Sequence, residues 1–267
     1  MKIKNIIAVT LIGATALFTL AACGSAGAES GVTTVRVGTG NAYPPYAYQN
    51  ESGDLIGYEK AVLDAVDAKL PQYSFKYQIF EFKNILTALA ADKIDLGAHQ
   101  FEENAERRSN YLFSEVGYND YTSYIAFLEG GTPYETLKEL EGKTIMVSPG
   151  SNFSYIIDQY NQHEAETQIA TSYFEANYDL LAASLETGTA EATLMTAPDI
   201  ERWNNMREKK LAHSKEPAYI SQSYFLFKNG NTELQQAVDG ALRELKDSGE
   251  LDKIYEENVK KFYESFE

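Results

Sequence analysis

The sequence predicts an α/β protein built from two lobes. Stretches in which apolar residues alternate, as in strands, are repeatedly followed by stretches with helical periodicity, which is typical of parallel sheets with helical crossovers. The chain has 267 residues, a length that can form one large domain or two lobes of roughly 100 residues each. With 44% apolar and 12% aromatic residues, the composition predicts a packed core rather than a disordered chain.

Residues 1–23 are predicted to be a lipoprotein signal peptide. Lys2 and Lys4 form a basic start, and the apolar run that follows is short for a transmembrane helix. The run Leu20-Ala21-Ala22-Cys23 matches a bacterial lipobox. Cys23, the only cysteine of the sequence, is therefore the predicted lipid anchor. An ordinary cleaved signal with an unrelated cysteine is the alternative.

Residues 24–32, which are rich in Gly, Ala and Ser, are predicted to form a flexible tether.

Charge and residue counts exclude several classes of function. The formal net charge of −16 argues against nucleic acid and against electrostatic binding to an anionic membrane face. Three scattered histidines and one cysteine give no support to a metal site or a Cys–His nucleophile. We therefore expect no cofactor and no bound metal.

The first half of the chain alternates strands with helices. Apolar alternation predicts strands at 32–38 and 75–80. Each strand precedes a helical pattern, at 60–70 and at 83–91. A short buried strand is predicted at 93–97, directly after the second helix.

A polar turn after this last strand carries three acids and two arginines before Tyr111-Leu112-Phe113-Ser114 returns the chain to apolar surroundings. An arginine held between two buried segments has a fixed base, and its planar fork suits a carboxylate. The alternative is a solvated arginine pair that is neutralised by the acids of the turn, which are Glu102, Glu103 and Glu106.

The second half continues the alternation. Residues 120–128 form a long apolar strand pattern, and residues 137–147 repeat a helix-turn-strand unit. A loop at 148–153 then precedes a helix at 154–161. Gly150 in this loop would let the backbone approach a ligand closely, and the free N–H groups of a helix start favour an anion.

The rest of the chain keeps the same pattern. Gly188 is placed to end a helix, as glycine often does. The remaining predicted elements are a helix at 178–187, a strand at 190–195, a helix at 200–209, a strand at 221–227, and helices at 232–248 and 251–263.

These motifs, taken together, resemble the amino-acid-binding proteins that serve ABC importers, the bacterial extracellular solute-binding protein family 3 of polar amino acid or cystine type. Phe113-Ser114, six residues after Arg107, matches the arginine turn of that family. The opening run of residues 38–46, followed by Gly57-Tyr58-Glu59, is similar to the family's opening motif. With the lipobox and the C-terminal pattern, the resemblance covers essentially the whole chain after residue 23.

The resemblance implies a periplasmic-binding-protein-like fold with a hinge and a ligand cleft between the lobes. The first lobe would be discontinuous, made of residues 33–118 and a return segment at 221–267. Residues 119–220 would form the second lobe. A ligand bound across both lobes would stabilise the closed state.

The resemblance also implies which residues bind the ligand. Arg107 would hold the α-carboxylate, with Arg108 as its solvated neighbour. Tyr43 and Phe82 would stack on the ligand, although both also suit ordinary packing. The carboxylate would further meet the backbone amides of one loop, formed by Gly150, Ser151 and Asn152.

Two positions depart from the family pattern. Many members carry a threonine five residues before the arginine and an aspartate that holds the ligand ammonium; this chain carries Glu102 and Thr196 there. Asp199, three residues further, is predicted to be turned away around its helix. A buried ammonium needs an acidic partner, and Glu102 is the residue expected to provide it. The alternative is that Glu102 forms an ion pair with Arg107 or Arg108 outside the cleft. Gln100 and Thr196 are expected in the pocket as well.

The expected function is that of an extracytoplasmic, lipid-anchored solute-binding protein, a monomer, that delivers a polar amino acid to an ABC permease without chemistry. Cystine is the favoured ligand, because its sulfur suits an aromatic pair and its second amino-acid head could meet Glu102. Glu102 would also repel glutamate and aspartate side chains. Two other classes stay open, a secreted dehydratase of an aromatic precursor on the same scaffold and the sensor domain of a receptor.

Overall fold

The computed structural model describes residues 31–175 and 177–265. The predicted signal peptide, the lipid anchor Cys23 and all but the last two residues of the predicted tether lie outside the described residues. Within the described ranges, no helix is both long enough and apolar enough to cross a membrane.

Strands and helices alternate along the described chain. The strands are β1 (Thr33–Thr39), β2 (Ala42–Tyr43), β3 (Ala47–Gln49), β4 (Leu55–Ile56), β5 (Tyr73–Ile79), β6 (Leu96–Glu102), β7 (Tyr111–Phe113), β8 (Asn119–Asp120), β9 (Ser123–Leu128), β10 (Thr144–Val147), β11 (Ala170–Tyr173), β12 (Thr193–Thr196), β13 (Leu211–His213) and β14 (Gln222–Lys228). The α-helices are α1 (Tyr58–Lys69), α2 (Phe82–Ala90), α3 (Ala105–Asn110), α4 (Asn152–His163), α5 (Tyr178–Thr187), α6 (Ala197–Met206), α7 (Thr232–Asp247), α8 (Glu250–Tyr255) and α9 (Lys261–Glu264). A 3₁₀ turn lies at Leu137–Leu140, and a π-helical turn at Glu256–Lys260 joins α8 to α9.

One six-stranded sheet organises the first lobe. Its strand order is β5-β1-β6-β14-β7, and β8 also pairs with β14. β1 runs parallel to β5 and β6, whereas β14 runs antiparallel to β6, β7 and β8. The sheet therefore joins the early part of the chain to a strand near its end.

The second lobe is built from two smaller sheets. β12, β9 and β13 form an antiparallel sheet, and β10 pairs in parallel with β11. A bridge between Ile145 and Ala192 connects the two sheets. The predicted two-lobe α/β fold is confirmed. The lobe boundaries stay a prediction; Asn119 and Asp120, at the first of them, pair with β14 of the six-stranded sheet.

One apolar cluster of the first lobe lies between its sheet and the helices α1 and α7. α7 buries Val238, Leu242 and Leu245, which recur every three or four residues and so share one face of the helix. These side chains belong to one apolar cluster with Phe225 and Phe227 of β14, and α1 contributes a similar face. Burial of this shared face holds β14 in the middle of the sheet.

The strand predicted at 93–97 extends further than expected. β6 runs from Leu96 to Glu102, and all seven of its residues are buried. Its polar side chains can be buried because they have hydrogen-bond partners; the side-chain oxygen of Gln100, for example, accepts from Asn119 and Ser223. The turn expected after residue 97 is instead the end of this strand followed by the short helix α3.

Helix α6 begins earlier than predicted. Its first residue is Ala197 rather than Ile200, because Thr196 caps the helix and Pro198 lies in its first turn. The strand predicted at 120–128 is observed as two, β8 and β9. Short strands such as β11 and β13 had no clear alternation and were not predicted.

The fold yields a prediction for the strand that returns to the first lobe. Phe225 is fully buried and its ring stacks on Tyr118 with 4.2 Å between centroids. Phe225→Ala should therefore lower the free energy of unfolding by about 3–5 kcal/mol, measured by urea denaturation. Ile220→Ala, at a side chain that is 75% exposed, is the control and should change it by less than about 0.5 kcal/mol. Similar small changes at both positions would contradict this placement of β14.

Candidate functional site

A cavity of about 390 Å³ lies between the two lobes. The first lobe lines it with the segment after β1, the start of α2, the end of β6 and Arg107. The second lobe contributes the loop before α4, the segment after β11, and residues of β12 and α6. Its volume falls within the range of small-molecule sites, about 300–1,000 Å³.

Arg107 lies at the buried end of the cavity and is the third residue of α3. Asn104 caps this helix, and its side-chain oxygen accepts a hydrogen bond from the Arg107 backbone N–H at 2.8 Å. The guanidinium donates to the backbone carbonyls of Glu102, at 2.8 Å, and Gly150, at 2.9 Å. These bonds use two of its five N–H donors, so the guanidinium can still bind a carboxylate in the cavity.

Glu102 also faces the cavity. Its carboxylate accepts a hydrogen bond from the Asn152 side chain at 3.2 Å, and burial raises the pKa of Glu102 to about 7. Glu102 therefore does not follow the alternative prediction, in which it would form an ion pair with an arginine outside the cleft. Glu103 forms that kind of ion pair instead, with the exposed side chain of Arg108.

Aromatic rings form one wall of the cavity. Tyr43 lies 5.9 Å from His99, and His99 lies 5.6 Å from Phe82, measured between ring centroids. Phe82 also stacks on Phe101, at 5.3 Å. Burial lowers the pKa of His99 to about 4, and its Nδ1 accepts a hydrogen bond from the Gly40 N–H. His99 is therefore a neutral part of this wall at pH 7.

Asp199 lines the cavity, and the prediction that it is turned away is wrong. Its Oδ2 accepts hydrogen bonds of 2.8 Å from the Tyr43 and Thr196 hydroxyls. Its Oδ1 is buried and accepts no hydrogen bond from the described residues. Because α6 begins at Ala197, Asp199 lies in the first turn and points into the cleft, whereas the predicted start at Ile200 implied a different rotation.

Gln100 lines the cavity with an unusual backbone, since its φ is 52°. Its side-chain oxygen accepts hydrogen bonds from Asn119, at 2.7 Å, and from Ser223, at 2.9 Å. Asn119 and Ser223 pair with each other where β8 meets β14, near the predicted lobe boundaries. The side chain predicted to contact the ligand is therefore bonded to these two strands.

Three of the predicted residues lie at the start of α4, where Gly150 and Ser151 precede the helix and Asn152 is its first residue. The carbonyl of Gly150 accepts from Arg107, and the hydroxyl of Ser151 caps α4 by accepting from the Ser154 N–H at 3.2 Å. Ser151 and Asn152 line the cavity. That the amides of these residues meet a carboxylate stays a prediction.

Thr196 differs from the expectation in its role. It is buried, and its side chain serves as the cap of α6 and as a hydrogen-bond donor to Asp199. It does not belong to the lining of the cavity. Thr196 therefore orients Asp199 and has no place of its own in the pocket.

Several lining residues of the second lobe were missed. They are Tyr121, Phe174, Tyr178, Leu194 and Met195. Tyr121 also shares a 2.8 Å hydrogen bond with the Tyr43 hydroxyl. Sequence gives little signal for such residues, because aromatic and apolar side chains in strands and helices more often belong to the core.

Comparison with known proteins agrees with this geometry. A family model for bacterial extracellular solute-binding proteins, family 3, matches residues 35–261. The chain is 35% identical over 221 residues to the L-cystine-binding protein TcyJ of Bacillus subtilis strain 168, which covers 83% of this chain and 82% of that protein. It is 30% identical over 243 residues to the L-cystine-binding protein TcyK of the same strain, with 88% of each chain covered.

A solved structure gives the same result. The putative L-cystine ABC transporter from Listeria monocytogenes matches with a TM-score of 0.77 and 30% sequence identity. The match covers 85% of this chain and 96% of that one. The fold and the sequence therefore agree on the same family.

The site predicts how stability depends on pH. The folded protein binds the Glu102 proton more tightly than the unfolded chain does. Protonated Glu102 therefore contributes most to the free energy of unfolding below pH 4.5, and this contribution is lost as the pH rises to about 7. Glu102→Gln should remove this fall, which amounts to roughly 3 kcal/mol at most. Urea denaturation of ligand-free protein between pH 4.5 and pH 8 measures it. Glu166→Gln, at an exposed acid, is the control, and an unchanged slope in Glu102→Gln would contradict the prediction.

Proposed function

This chain belongs to the bacterial extracellular solute-binding proteins of family 3, and we propose that it binds an amino acid outside the cytoplasm and delivers it to an ABC permease. The observation that carries the proposal is the cavity that contains Arg107, Glu102 and Asp199. An α-amino acid carries one carboxylate and one ammonium. A guanidinium and carboxylates are the side chains that bind these two groups with charge-assisted hydrogen bonds.

The proposed contacts divide between the lobes. Arg107 of the first lobe donates to the ligand carboxylate, and the N-terminus of α4 in the second lobe adds backbone N–H groups. Asp199 of the second lobe accepts from the ammonium through Oδ1. Tyr43 of the first lobe contacts the ligand body. A ligand that makes all these contacts binds the closed state more tightly than the open one, and so shifts the hinge towards closure.

Cystine is the ligand that we favour. Two relatives of at least 30% identity are named as L-cystine-binding proteins. The cavity also sets two carboxylates, Glu102 and Asp199, against the single buried guanidinium. That balance disfavours glutamate and aspartate, whose side chains would add a further carboxylate to the cavity. Phe82 and Met195 line the same cavity and suit a sulfur-bearing body.

The proposed role is to bind and deliver the ligand, without catalysing a reaction. The relatives compared above are named for binding or transport, so binding is favoured over the dehydratase and receptor alternatives. The permease would recognise the closed shape of the monomeric, liganded protein. Lipid on Cys23 would hold the protein at the outer face of the cell membrane.

Calorimetry with a panel of amino acids tests the proposed function. We expect cystine to bind more tightly than glutamine or histidine, and glutamate to bind least. Tight binding of glutamate with none of cystine would refute the choice of ligand. Absence of binding to every amino acid would refute the function itself.

The two neighbouring arginines provide a matched pair of variants. Arg107→Ala should weaken amino-acid binding by about 2–5 kcal/mol, because the ligand carboxylate would be buried without its partner. Arg108→Ala, at an exposed side chain, should leave the affinity within about 0.5 kcal/mol. Calorimetry measures both, and circular dichroism checks that both fold. Equal losses at the two positions would refute the assignment.

Asp199→Asn should separate ligand binding from stability. We expect the dissociation constant to rise about tenfold or more, since a charge-assisted bond to the ammonium is lost. The ligand-free protein should be at least as stable as the wild type, because a buried carboxylate has been removed. Asp179→Asn, at a side chain 91% exposed, is the control. An unchanged affinity in Asp199→Asn would count against its role.

Cys23→Ala tests the lipid anchor. Because lipidation requires the cysteine, the variant should be released into the medium or remain unprocessed. Cell fractionation and mass spectrometry of the product distinguish these outcomes from normal anchoring. A variant that stays membrane-bound at its normal mature mass would show that Cys23 is not the anchor.

A further inference from the structure

The exposed end of the cavity, which we call the mouth, carries its own set of charges. Lys83, at the start of α2 in the first lobe, and Glu175, after β11 in the second lobe, form an ion pair of 2.7 Å across it. Glu81 lies 3.7 Å from the same lysine. All three side chains line the cavity that also contains Arg107.

The ion pair between Lys83 and Glu175 is exposed enough for a charged ligand to replace it. The Lys83 side chain is 42% exposed and that of Glu175 is 56% exposed. Exposed ion pairs contribute little to stability because water screens them and both long side chains lose freedom when they pair. A ligand with suitable charges can therefore replace this pair at little loss to the fold.

The two ends of the cavity have matching charge sets. Among the lining residues that the structure describes, Arg107 and Lys83 carry the positive charges at pH 7. Acids accompany both. Glu102 and Asp199 are buried members of the lining, and Glu81 and Glu175 lie beside Lys83 at the mouth. Each end thus offers a cation for a carboxylate and an acid for an ammonium.

An apolar and aromatic section separates the two ends. The Arg107 Cζ lies 5.2 Å from the centroid of the Phe101 ring, and the Phe82 ring stacks on the same ring at 5.3 Å. Lys83 directly follows Phe82 in the chain. Phe82 lines this section from the first lobe, with Phe101 stacked against it outside the lining. From the second lobe the lining residues are Phe174, Leu194 and Met195. A ligand that fills the cavity therefore needs a short apolar body with a charged head at each end.

We propose that Lys83 and Glu175 form a recognition site for the second zwitterionic head of a two-headed amino acid. Lys83 binds the carboxylate of that head and Glu175 binds its ammonium, while the first head lies against Arg107 and Asp199. The ligand class is a diamino dicarboxylic acid with a short sulfur or apolar link. In a disulfide-linked pair of cysteines the two Cα atoms are about 5.5–6 Å apart, which makes a compact body for the aromatic section.

This inference rests on the proposed function, because the first head needs the amino-acid site around Arg107. The competing explanation is a latch, in which Lys83 and Glu175 only hold the two lobes together. A latch would assist every ligand equally, since it acts on closure and contacts no ligand. A second-head site would assist only ligands that have a second head. Ligands with one head and with two heads therefore separate the explanations.

Calorimetry on the full-length protein makes the comparison with cystine, which has two heads, and S-methylcysteine, which has one. The variants are Lys83→Gln and Glu175→Gln. Lys138→Gln is the control, because Lys138 also forms an exposed ion pair, with Glu166, outside the cavity lining. We expect each mouth variant to raise the dissociation constant of cystine at least about fivefold. That of S-methylcysteine should change less than about twofold, as should both constants in the control.

Three results would overturn the inference while the proposed function stands. Equal losses for both ligands in the mouth variants would show a latch, and an unchanged affinity for cystine would show that the mouth does not contact the second head. Binding of S-methylcysteine by the wild type with none of cystine would overturn it as well. If the wild type bound neither these ligands nor any other amino acid, the proposed function would fail together with the inference.

Discussion

The burial of charged groups in the cleft is the constraint on which the rest of the structure depends. Arg107, Glu102 and Asp199 are each at most 6% exposed, and no salt bridge within the described ranges pairs any of them. Buried charges without oppositely charged partners are unfavourable. The cleft is closed in this structure, since Arg107 of the first lobe donates directly to the Gly150 carbonyl of the second. It is therefore complete only when a ligand supplies both a negative and a positive group. An amino acid carries both, which is why closure and binding are expected to be a single event.

A network of buried hydrogen bonds connects the cavity to β8 and β14, which lie near the predicted lobe boundaries. Gln100 of β6 is bonded to Asn119 and Ser223, which pair with each other where β8 meets β14. The backbone N–H of Gln100 donates to Glu59 at 2.9 Å, and burial raises the pKa of Glu59 to about 7. Buried polar networks are rigid when their members are bonded. The network therefore holds β8 and β14 in a fixed position beside the cavity.

Sequence reasoning was most successful where one spacing or one period carries the information. The alternation of strands and helices sufficed for the fold class. The family resemblance carried by the spacing from Arg107 to Phe113 pointed to the arginine that lines the cavity, and its contact with a ligand carboxylate stays a prediction. Asp199 was misjudged because its direction depends on where α6 begins, although Thr196 before a proline is a recognisable cap. The contact of Lys83 with Glu175 joins residues 92 positions apart and exists only because the lobes meet. Local pattern holds no information about such a contact.

Small-angle scattering with and without ligand tests the central claim, that an amino acid closes the cleft by completing its buried charges. The account predicts a larger radius of gyration in the ligand-free protein. With saturating cystine the profile should shift to the one calculated from the closed structure, and Arg107→Ala should prevent this shift at the same cystine concentration. A ligand-free profile that already matches the closed structure, and that does not change when cystine binds, would contradict the account.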